Sequence, residues 1–263
     1  VKFRSNSDTE TILYYIREFG IDSVNDFNGI FSFALVDKVL EKLYLVRDHF
    51  GIKPLYYYQT GNCLIFGSEM KVIKNNPVYT KSINVDALNT LLTFRYNPAP
   101  DTMFKDIKKL QAATYLVYHA NGETNLVNYW KKVQKINHHV NETEAITEYQ
   151  RLLEQAVKRQ LLSDVPVGLL LSGGLDSAVL GHLMAKHSNH PVQSFTVGFK
   201  GKGNFNELDD ARDTAEFIGA HHRDIFMDRA QYMDYFYRSF FHTEEPIAEP
   251  TIPALFYVSN LAS

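Results

Sequence analysis

The sequence predicts two folds in succession, an α+β half followed by an α/β half. In the first half, short runs rich in β-branched and aromatic residues are separated by turn residues, a pattern typical of antiparallel sheets. In the second half, apolar runs alternate with amphipathic helical patterns, which favours a parallel sheet covered on both faces. The polar, aperiodic segment KKVQKINHHVNETE separates the two halves. We therefore expect a boundary at about residues 135–140, with domains over 1–135 and 140–263.

The first half opens with a helix. Ser7 and Glu10 have the spacing of a capping box, and apolar residues then recur every three or four positions until Gly20. A second helix is predicted over 85–94, behind Asn84, and Asn121-Gly122 is expected to join two strands of a hairpin, 115–118 and 123–129. Four earlier strands are expected to form an antiparallel sheet, over residues 30–36, 43–47, 55–59 and 64–67.

The second half alternates helices and strands. The apolar spacing predicts helices over 142–162, 175–187, 207–218 and 231–241, and strands over 165–171, 193–199 and 223–227. Ligands of parallel sheets bind at the carboxyl ends of the strands. The peptide that follows Leu171 therefore lies where a ligand is expected.

Composition excludes several classes of function. With 27 Lys and Arg against 30 Asp and Glu, the net charge is −3, so we expect neither a nucleic-acid nor a membrane partner. The longest apolar runs are about seven residues, far below the about 20 that a membrane span needs, and no signal peptide opens the chain. The single cysteine, Cys63, is expected to be a packed strand thiol in a reducing compartment, which indicates a cytoplasmic protein.

The peptide SGGLDS, residues 172–177, has the composition of an anion-binding loop. A sharp turn from strand to helix leaves backbone amides unpaired at the positive end of the helix dipole. Gly173 and Gly174 let an anion approach, and Ser172 and Ser177 offer hydroxyl donors. Asp176 would repel a bare phosphate, so we expect Mg²⁺ to bridge its carboxylate and the phosphates. The alternative interpretation is a tight turn with a serine cap.

These residues carry a resemblance. The loop matches the SGGxDS loop of the ATP pyrophosphatases. The second half resembles the glutamine-dependent asparagine synthetase family over residues 162–177 and 194–199, at Glu245-Pro246 and at Ile252-Pro253. The first half is similar to the family's class II glutamine amidotransferase domain over residues 7–10, 27–34, 47–57 and 66–69. The resemblance implies a partial Ntn-type αββα sandwich, followed by a Rossmann-like parallel sheet of the adenine nucleotide alpha hydrolase type.

The resemblance also implies a function and a set of site residues. ATP would activate aspartate as β-aspartyl-AMP with release of pyrophosphate, and ammonia from glutamine would displace AMP. Asp8 would bind the α-amino group of glutamine, although an acid at this position also fits a plain capping box. The ATP site would comprise Leu171 and Val197, whose backbone would face adenine, and Ser172, Gly173, Gly174, Asp176 and Ser177, with Asp176 on the metal. The implied partners are aspartate, glutamine and ATP; a homo-oligomer is compatible with the sequence.

The sequence departs from the family at its ends. The family uses an N-terminal cysteine whose own amine is the base, but this sequence starts with Val1, and Cys63 has no free amine beside it. We therefore expect a fragment truncated at both ends, without glutaminase activity, and we assign no catalytic residue. Two alternatives stay open: amidation of another carboxylate, or a non-catalytic ATP-binding module. Arg47, Asp48 and Lys53 receive no role, and scattered histidine pairs give little support for a zinc site.

Overall fold

A computed structural model describes residues 2–131, 139–199, 207–246 and 249–262. The chain divides into two compact units, Val1–Gln134 with Glu244–Ala248, and Lys135–Thr243 with Glu249–Ser263. The predicted boundary falls largely outside the described residues, so it stays a prediction. No helix among the described residues is long and apolar enough to cross a membrane.

The first unit contains three helices, seven strands and a 3₁₀ turn among its described residues. Its elements are α1 (Asp8–Phe19), the 3₁₀ turn (Ile21–Asp26), β1 (Ser32–Asp37), β2 (Lys42–Arg47), β3 (Tyr56–Thr60), β4 (Cys63–Gly67), α2 (Met70–Lys74), α3 (Val85–Phe94), β5 (Lys108–Lys109), β6 (Thr114–His119) and β7 (Thr124–Asn128). The predicted helices and the β6–β7 hairpin are confirmed to within a few residues. Helix α2 and strand β5 were not predicted.

The expectation of one antiparallel sheet was wrong, because the strands form two. One sheet has the order β1-β2-β6-β7 and the other has the order β4-β3-β5, all pairs being antiparallel. Pairing of β2 with β6 joins segments about 70 residues apart, which no local pattern reports.

Successive side chains of β2 and β6 point to opposite faces of the first sheet, and this explains how the sheet packs on α1 on one side and on the second sheet on the other. Tyr44 and Val46 contact the Ile16 side of α1, whereas Leu45 and Leu116 pack on the second sheet. The outer face of that second sheet packs on α2 through Tyr56, Tyr58 and Ile65, which meet Met70 and Ile73. The first unit therefore stacks helix, sheet, sheet and helix in that order.

Two local expectations in this unit were also wrong. Ser7 does cap α1, since its side chain accepts a hydrogen bond from the amide of Thr9 at 3.2 Å. The Glu10 carboxylate, however, accepts from the amides of Arg4 and Ser5 at 2.9 and 2.7 Å instead of completing a capping box. Cys63 begins β4 and is exposed, so it is not a packed thiol.

A buried polar cluster lies within the first unit and includes Glu245. The Asn97 side-chain amide donates to Glu245 Oε2 at 2.9 Å, and Lys109 Nζ donates to the Asn97 carbonyl at 2.8 Å. Lys109 Nζ also lies 3.3 Å from Glu245 Oε1, with the two side chains only 18% and 7% exposed. Burial, followed by the nearby charge of Glu245, raises the pKa of Tyr56 to about 12. The charges of Lys109 and Glu245 are therefore both largely removed from water.

The second unit has the predicted parallel sheet. Its elements are α4 (Glu142–Gln160), β8 (Gly168–Leu170), α5 (Leu175–His187), β9 (Gln193–Phe199), α6 (Leu208–Phe217), β10 (His221–Met227), α7 (Arg229–His242) and α8 (Ile252–Ala262). The described strands have the order β10-β9-β8, with both pairings parallel. Strand β8 has three residues instead of the seven predicted, and Leu170 is 43% exposed, so the expectation of cover on both faces was wrong for this strand.

His222 lies inside this sheet, opposite Ser194 in the pairing of β10 with β9. Its Nδ1 atom lies 2.9 Å from the Ser194 hydroxyl, and its buried Nε2 atom has no hydrogen-bond partner among the described residues. Burial lowers the pKa of His222; Asp224 opposes this shift and Arg212 adds to it. The fold therefore favours the neutral ring.

We expect this histidine to destabilise the protein at acidic pH. Since its pKa is lower in the folded than in the unfolded chain, the free energy of unfolding should fall as pH drops through the ordinary value of 6.5, and level off below the folded pKa. Urea titrations between about pH 5 and 8 should show a weaker pH dependence in His222→Gln than in wild type. Equal pH dependence in wild type and in His222→Gln would contradict the assignment.

Candidate functional site

The predicted loop lies between β8 and α5, at the carboxyl end of the parallel sheet. Hydrogen bonds to β9 fix the point where the strand ends: the Leu171 amide donates to the Phe195 carbonyl at 2.9 Å, and Thr196 Oγ1 donates to the Leu171 carbonyl at 2.5 Å. Leu171 itself is buried, with 3% of its surface exposed. The chain therefore turns away from the sheet at a fixed position.

The two serines of the loop bond to each other and to the loop backbone. Their hydroxyl oxygens lie 2.9 Å apart. Ser172 Oγ accepts from the Gly174 amide, and Ser177 Oγ accepts from the Ser172 amide, each at 3.2 Å. Ser177 Oγ is also 3.0 Å from the Gly174 carbonyl. These hydroxyls, predicted as phosphate donors, here hold the shape of the loop.

Helix α5 starts directly behind the loop and has no side-chain cap. Gly174 is its N-cap residue and has no side chain to accept a hydrogen bond from the first turn; within the described residues no other side chain takes over this capping role. The amides of Leu175, Asp176 and Ser177 form the first turn and have no carbonyl partner within the helix. Asp176 is exposed and is the acidic residue of that turn. These amides, backed by the helix dipole, suit an anion.

Gly173 is packed against the start of α6. A Cβ atom at this position would lie 3.1 Å from the Cβ atoms of both Glu207 and Asp210, which leaves little room for a side chain. The Gly173 amide donates to Glu207 Oε2 at 3.2 Å. Glu207 was not predicted from the sequence as part of this site. Its only signal was its place at the start of the helix after β9, which parallel topology brings to the same edge of the sheet.

A cavity of about 280 Å³ opens beside the loop. Its lining comprises Leu170, Leu171, Ser172, Phe195, Thr196, Val197, Glu207, Thr251, Ala254, Leu255 and Val258. The Phe195 carbonyl faces β8. Backbone groups two residues apart on a strand point to the same side, so the backbone groups of Val197 also point to the β8 side of β9, beyond the end of β8. Leu171 and Val197 thus both line this cavity, and their role in adenine binding stays a prediction.

A larger cavity of about 1090 Å³ lies elsewhere, between α4, α5 and α6. Apolar side chains such as Ile146, Leu153 and Phe217 dominate its lining, and it includes no residue of the loop. Size alone would favour this cavity, but convergent polar groups are what mark a specific ligand site. The loop has such groups, so we take the smaller cavity as the candidate site.

Asp8, the predicted glutamine contact, is the first residue of α1 and is exposed. Because Ser7 provides the cap, the Asp8 carboxylate is not needed to start the helix. Its only described side-chain contact is with the Thr9 hydroxyl at 3.5 Å. The carboxylate is therefore accessible to a ligand, and the glutamine contact stays a prediction.

Arg47 and Asp48 both bond to the main chain of the loop that follows β2. The Arg47 guanidinium donates to the carbonyls of Lys53, Gly51 and Leu110 at 2.8, 2.6 and 2.5 Å. Burial alone would raise the pKa of Asp48, but its carboxylate accepts from the amides of Lys53, Ile52 and Phe50, and these bonds lower the pKa below its usual value. These contacts give Arg47 and Asp48 a structural role, which is to hold the loop that follows β2.

The described residues contain no group of three or more His, Cys, Asp or Glu side chains placed to hold a metal ion. His187 instead lies 2.7 Å from the Glu154 carboxylate, and His221 is 3.2 Å from the Gln193 side-chain amide. A magnesium ion at the loop would therefore depend on Asp176 together with oxygens of the nucleotide.

Two family models match this chain, one in each half of the sequence. A model described as "Glutamine amidotransferase domain" matches residues 1–130, and one described as "Asparagine synthase" matches residues 148–263. The chain belongs to the glutamine-hydrolysing asparagine synthetase family.

Relatives in this asparagine synthetase family match along most of the chain. Asparagine synthetase [glutamine-hydrolyzing] 1 of Bacillus subtilis is 30% identical over 99% of this chain and 40% of its own length. Asparagine synthetase [glutamine-hydrolyzing] 3 of the same organism is 33% identical over 76% of this chain and 33% of its length. Asparagine synthetase B of Escherichia coli is 29% identical over 92% and 41%, respectively. The chain therefore spans less than half the length of these relatives.

Proposed function

We propose that this chain is the part of an ATP-dependent, glutamine-dependent asparagine synthetase that binds glutamine and the triphosphate of ATP. The reaction would convert aspartate to β-aspartyl-AMP and pyrophosphate, and ammonia would then displace AMP to give asparagine. Membership of the asparagine synthetase family supports this proposal. On this proposal the first unit is an Ntn-type αββα sandwich, and the second has the adenine nucleotide alpha hydrolase fold.

The observation that carries the proposal is the uncapped start of α5 behind two glycines, next to a cavity. The amides of Leu175, Asp176 and Ser177 would donate to phosphate oxygens, and the backbone of Leu171 and Val197 would contact adenine. The exposed carboxylate of Asp176 is a hard oxygen donor, which fits Mg²⁺. When bound there, Mg²⁺ would supply positive charge against the charge that develops on the leaving pyrophosphate.

In the first unit, Asp8 would hold the α-amino group of glutamine through its exposed carboxylate. We do not assign Cys63 as the nucleophile, although it is exposed. Its nitrogen is part of a peptide bond, so it lacks the free amine that would act as the base. We therefore assign no residue of this sequence to the chemistry of glutamine hydrolysis.

A pyrophosphate-release assay with ATP, Mg²⁺ and ammonium chloride tests the proposal. We expect release from the protein that contains this chain to require aspartate, because adenylation consumes the acceptor carboxylate. If pyrophosphate release requires a different carboxylic acid, that acid is the substrate and aspartate is not. Binding of ATP without release in the presence of any carboxylate would instead identify a nucleotide-binding module.

A further inference from the structure

We propose that Glu207 is a built-in competitor for the phosphate site, an internal anion that leaves the Gly173 amide when a nucleotide phosphate binds there. This inference rests on the proposed function of the loop. It starts from one contact, the 3.2 Å hydrogen bond from the Gly173 amide to Glu207 Oε2. A carboxylate oxygen and a phosphate oxygen make the same kind of charge-assisted bond to a backbone amide.

The Gly173 amide differs from its neighbours in the loop in the kind of group that accepts its hydrogen bond. The amides of Ser172 and Gly174 donate to the hydroxyls of Ser177 and Ser172, which belong to the loop itself. The Gly173 amide donates to the charged side chain of the residue that precedes α6, 34 residues away in sequence. Among these three amides, an external anion that enters the loop therefore competes with a negatively charged acceptor only at Gly173.

The placement of Glu207 allows its side chain to move without disturbing the fold. Its backbone carbonyl accepts from the Ala211 amide at 3.0 Å, and the adjacent Leu208 is completely buried, so the main chain here is anchored. Glu207 itself is exposed. Its carboxylate can swing into water at little cost in solvation, which a buried carboxylate could not do.

Glu207 also adds to the negative charge that a phosphate must face. Asp176 lies in the first turn of α5, and Asp210 Oδ2 would be 3.2 Å from a Cβ atom at Gly173. A polyphosphate without a metal ion is repelled by these carboxylates, whereas one carrying Mg²⁺ is repelled less. Glu207 would thus select for the magnesium complex and against free pyrophosphate.

Calorimetric titration with inorganic pyrophosphate, in EDTA and in excess Mg²⁺, tests this role. Glu207→Gln keeps a hydrogen-bond acceptor and removes the charge. We expect it to bind metal-free pyrophosphate about fivefold or more tightly than wild type, since repulsion between unit charges about 4 Å apart has that size even in water. The gain should be smaller in Mg²⁺. The matched control is Glu216→Gln, which removes one exposed charge from the far end of the same helix and should leave both affinities unchanged.

A second measurement reports the contact directly. In ¹⁵N-glycine-labelled protein, the Gly173 amide resonance should shift in Glu207→Gln without ligand and should shift in wild type on addition of pyrophosphate. Suppose that wild type binds magnesium pyrophosphate, but Glu207→Gln gains no more affinity than Glu216→Gln, or the Gly173 resonance of Glu207→Gln does not shift. The proposed role of Glu207 is then wrong, and the proposed function stands. If neither wild type nor Glu207→Gln binds ATP or pyrophosphate in either condition, the proposed function fails and this inference falls with it.

Discussion

Replacement of Asp176 by asparagine is expected to reduce magnesium-dependent pyrophosphate release by about a hundredfold or more. The change keeps the size of the side chain and removes the one charge that the loop offers to a metal ion. Electrostatic stabilisation of a leaving group is commonly the largest contribution to such reactions, and loss of a single contact typically costs about 10²–10³ in rate. Because Asp176 is exposed, the variant should fold normally.

Asp86 provides the matched control. It occupies the second position of α3, as Asp176 does in α5, and each is the acidic residue in the first turn of its helix. Both substitutions remove the same favourable contact with a helix dipole, worth about 0.3–1 kcal/mol. Asp86→Asn should therefore match Asp176→Asn in the free energy of unfolding and retain activity. If Asp176→Asn also keeps most of its pyrophosphate release, the carboxylate is only a helix-start residue.

The largest effect on stability is expected from Lys109→Met. This change leaves the Glu245 carboxylate, whose side chain is 7% exposed, without its cation. Removal of one partner from a buried ion pair costs about 3–5 kcal/mol, because the remaining charge is neither hydrated nor paired. Urea denaturation should show this as a lower midpoint in the transition of the first unit.

Lys108, the residue before Lys109, provides the matched control. Lys108, also on β5, pairs with Asp101 at 2.8 Å, but their side chains are 37% and 53% exposed. Lys108→Met should cost no more than about 1 kcal/mol. A second substitution, Glu245→Gln, should recover part of the stability of Lys109→Met by removing the uncompensated charge. Equal losses in the two lysine variants would show that burial of the Lys109 pair does not control stability.

Local chemistry allowed most of the longer helices of this chain to be predicted closely, although α2 and α8 were not predicted. Helix α3 begins behind Asn84, whose side chain accepts from the Ala87 amide, and α5 runs from Leu175 to His187 as predicted. Such elements depend on caps and on apolar spacing within about four residues. Strand β8 was predicted too long, because an apolar run does not report where its hydrogen-bonded partner ends.

Features that depend on distant parts of the chain were missed for the same physical reason. Lys109 and Glu245 are 136 residues apart, and nothing in the sequence around either one indicates a buried pair. Likewise, the bond between Gly173 and Glu207 follows from the folding of α6 against the loop. The composition of SGGLDS indicated an anion site, but it gave no sign that a carboxylate of the chain itself contacts that site.

The way in which Arg47 and Asp48 hold the loop after β2 has a consequence for how that loop can evolve. Both side chains bond to main-chain atoms, which every amino acid except proline supplies in full. The path of the loop is therefore maintained without help from the side chain of Ile52, which is 57% exposed. We expect this position to tolerate substitution on an unchanged main chain, whereas the arginine and the aspartate should not.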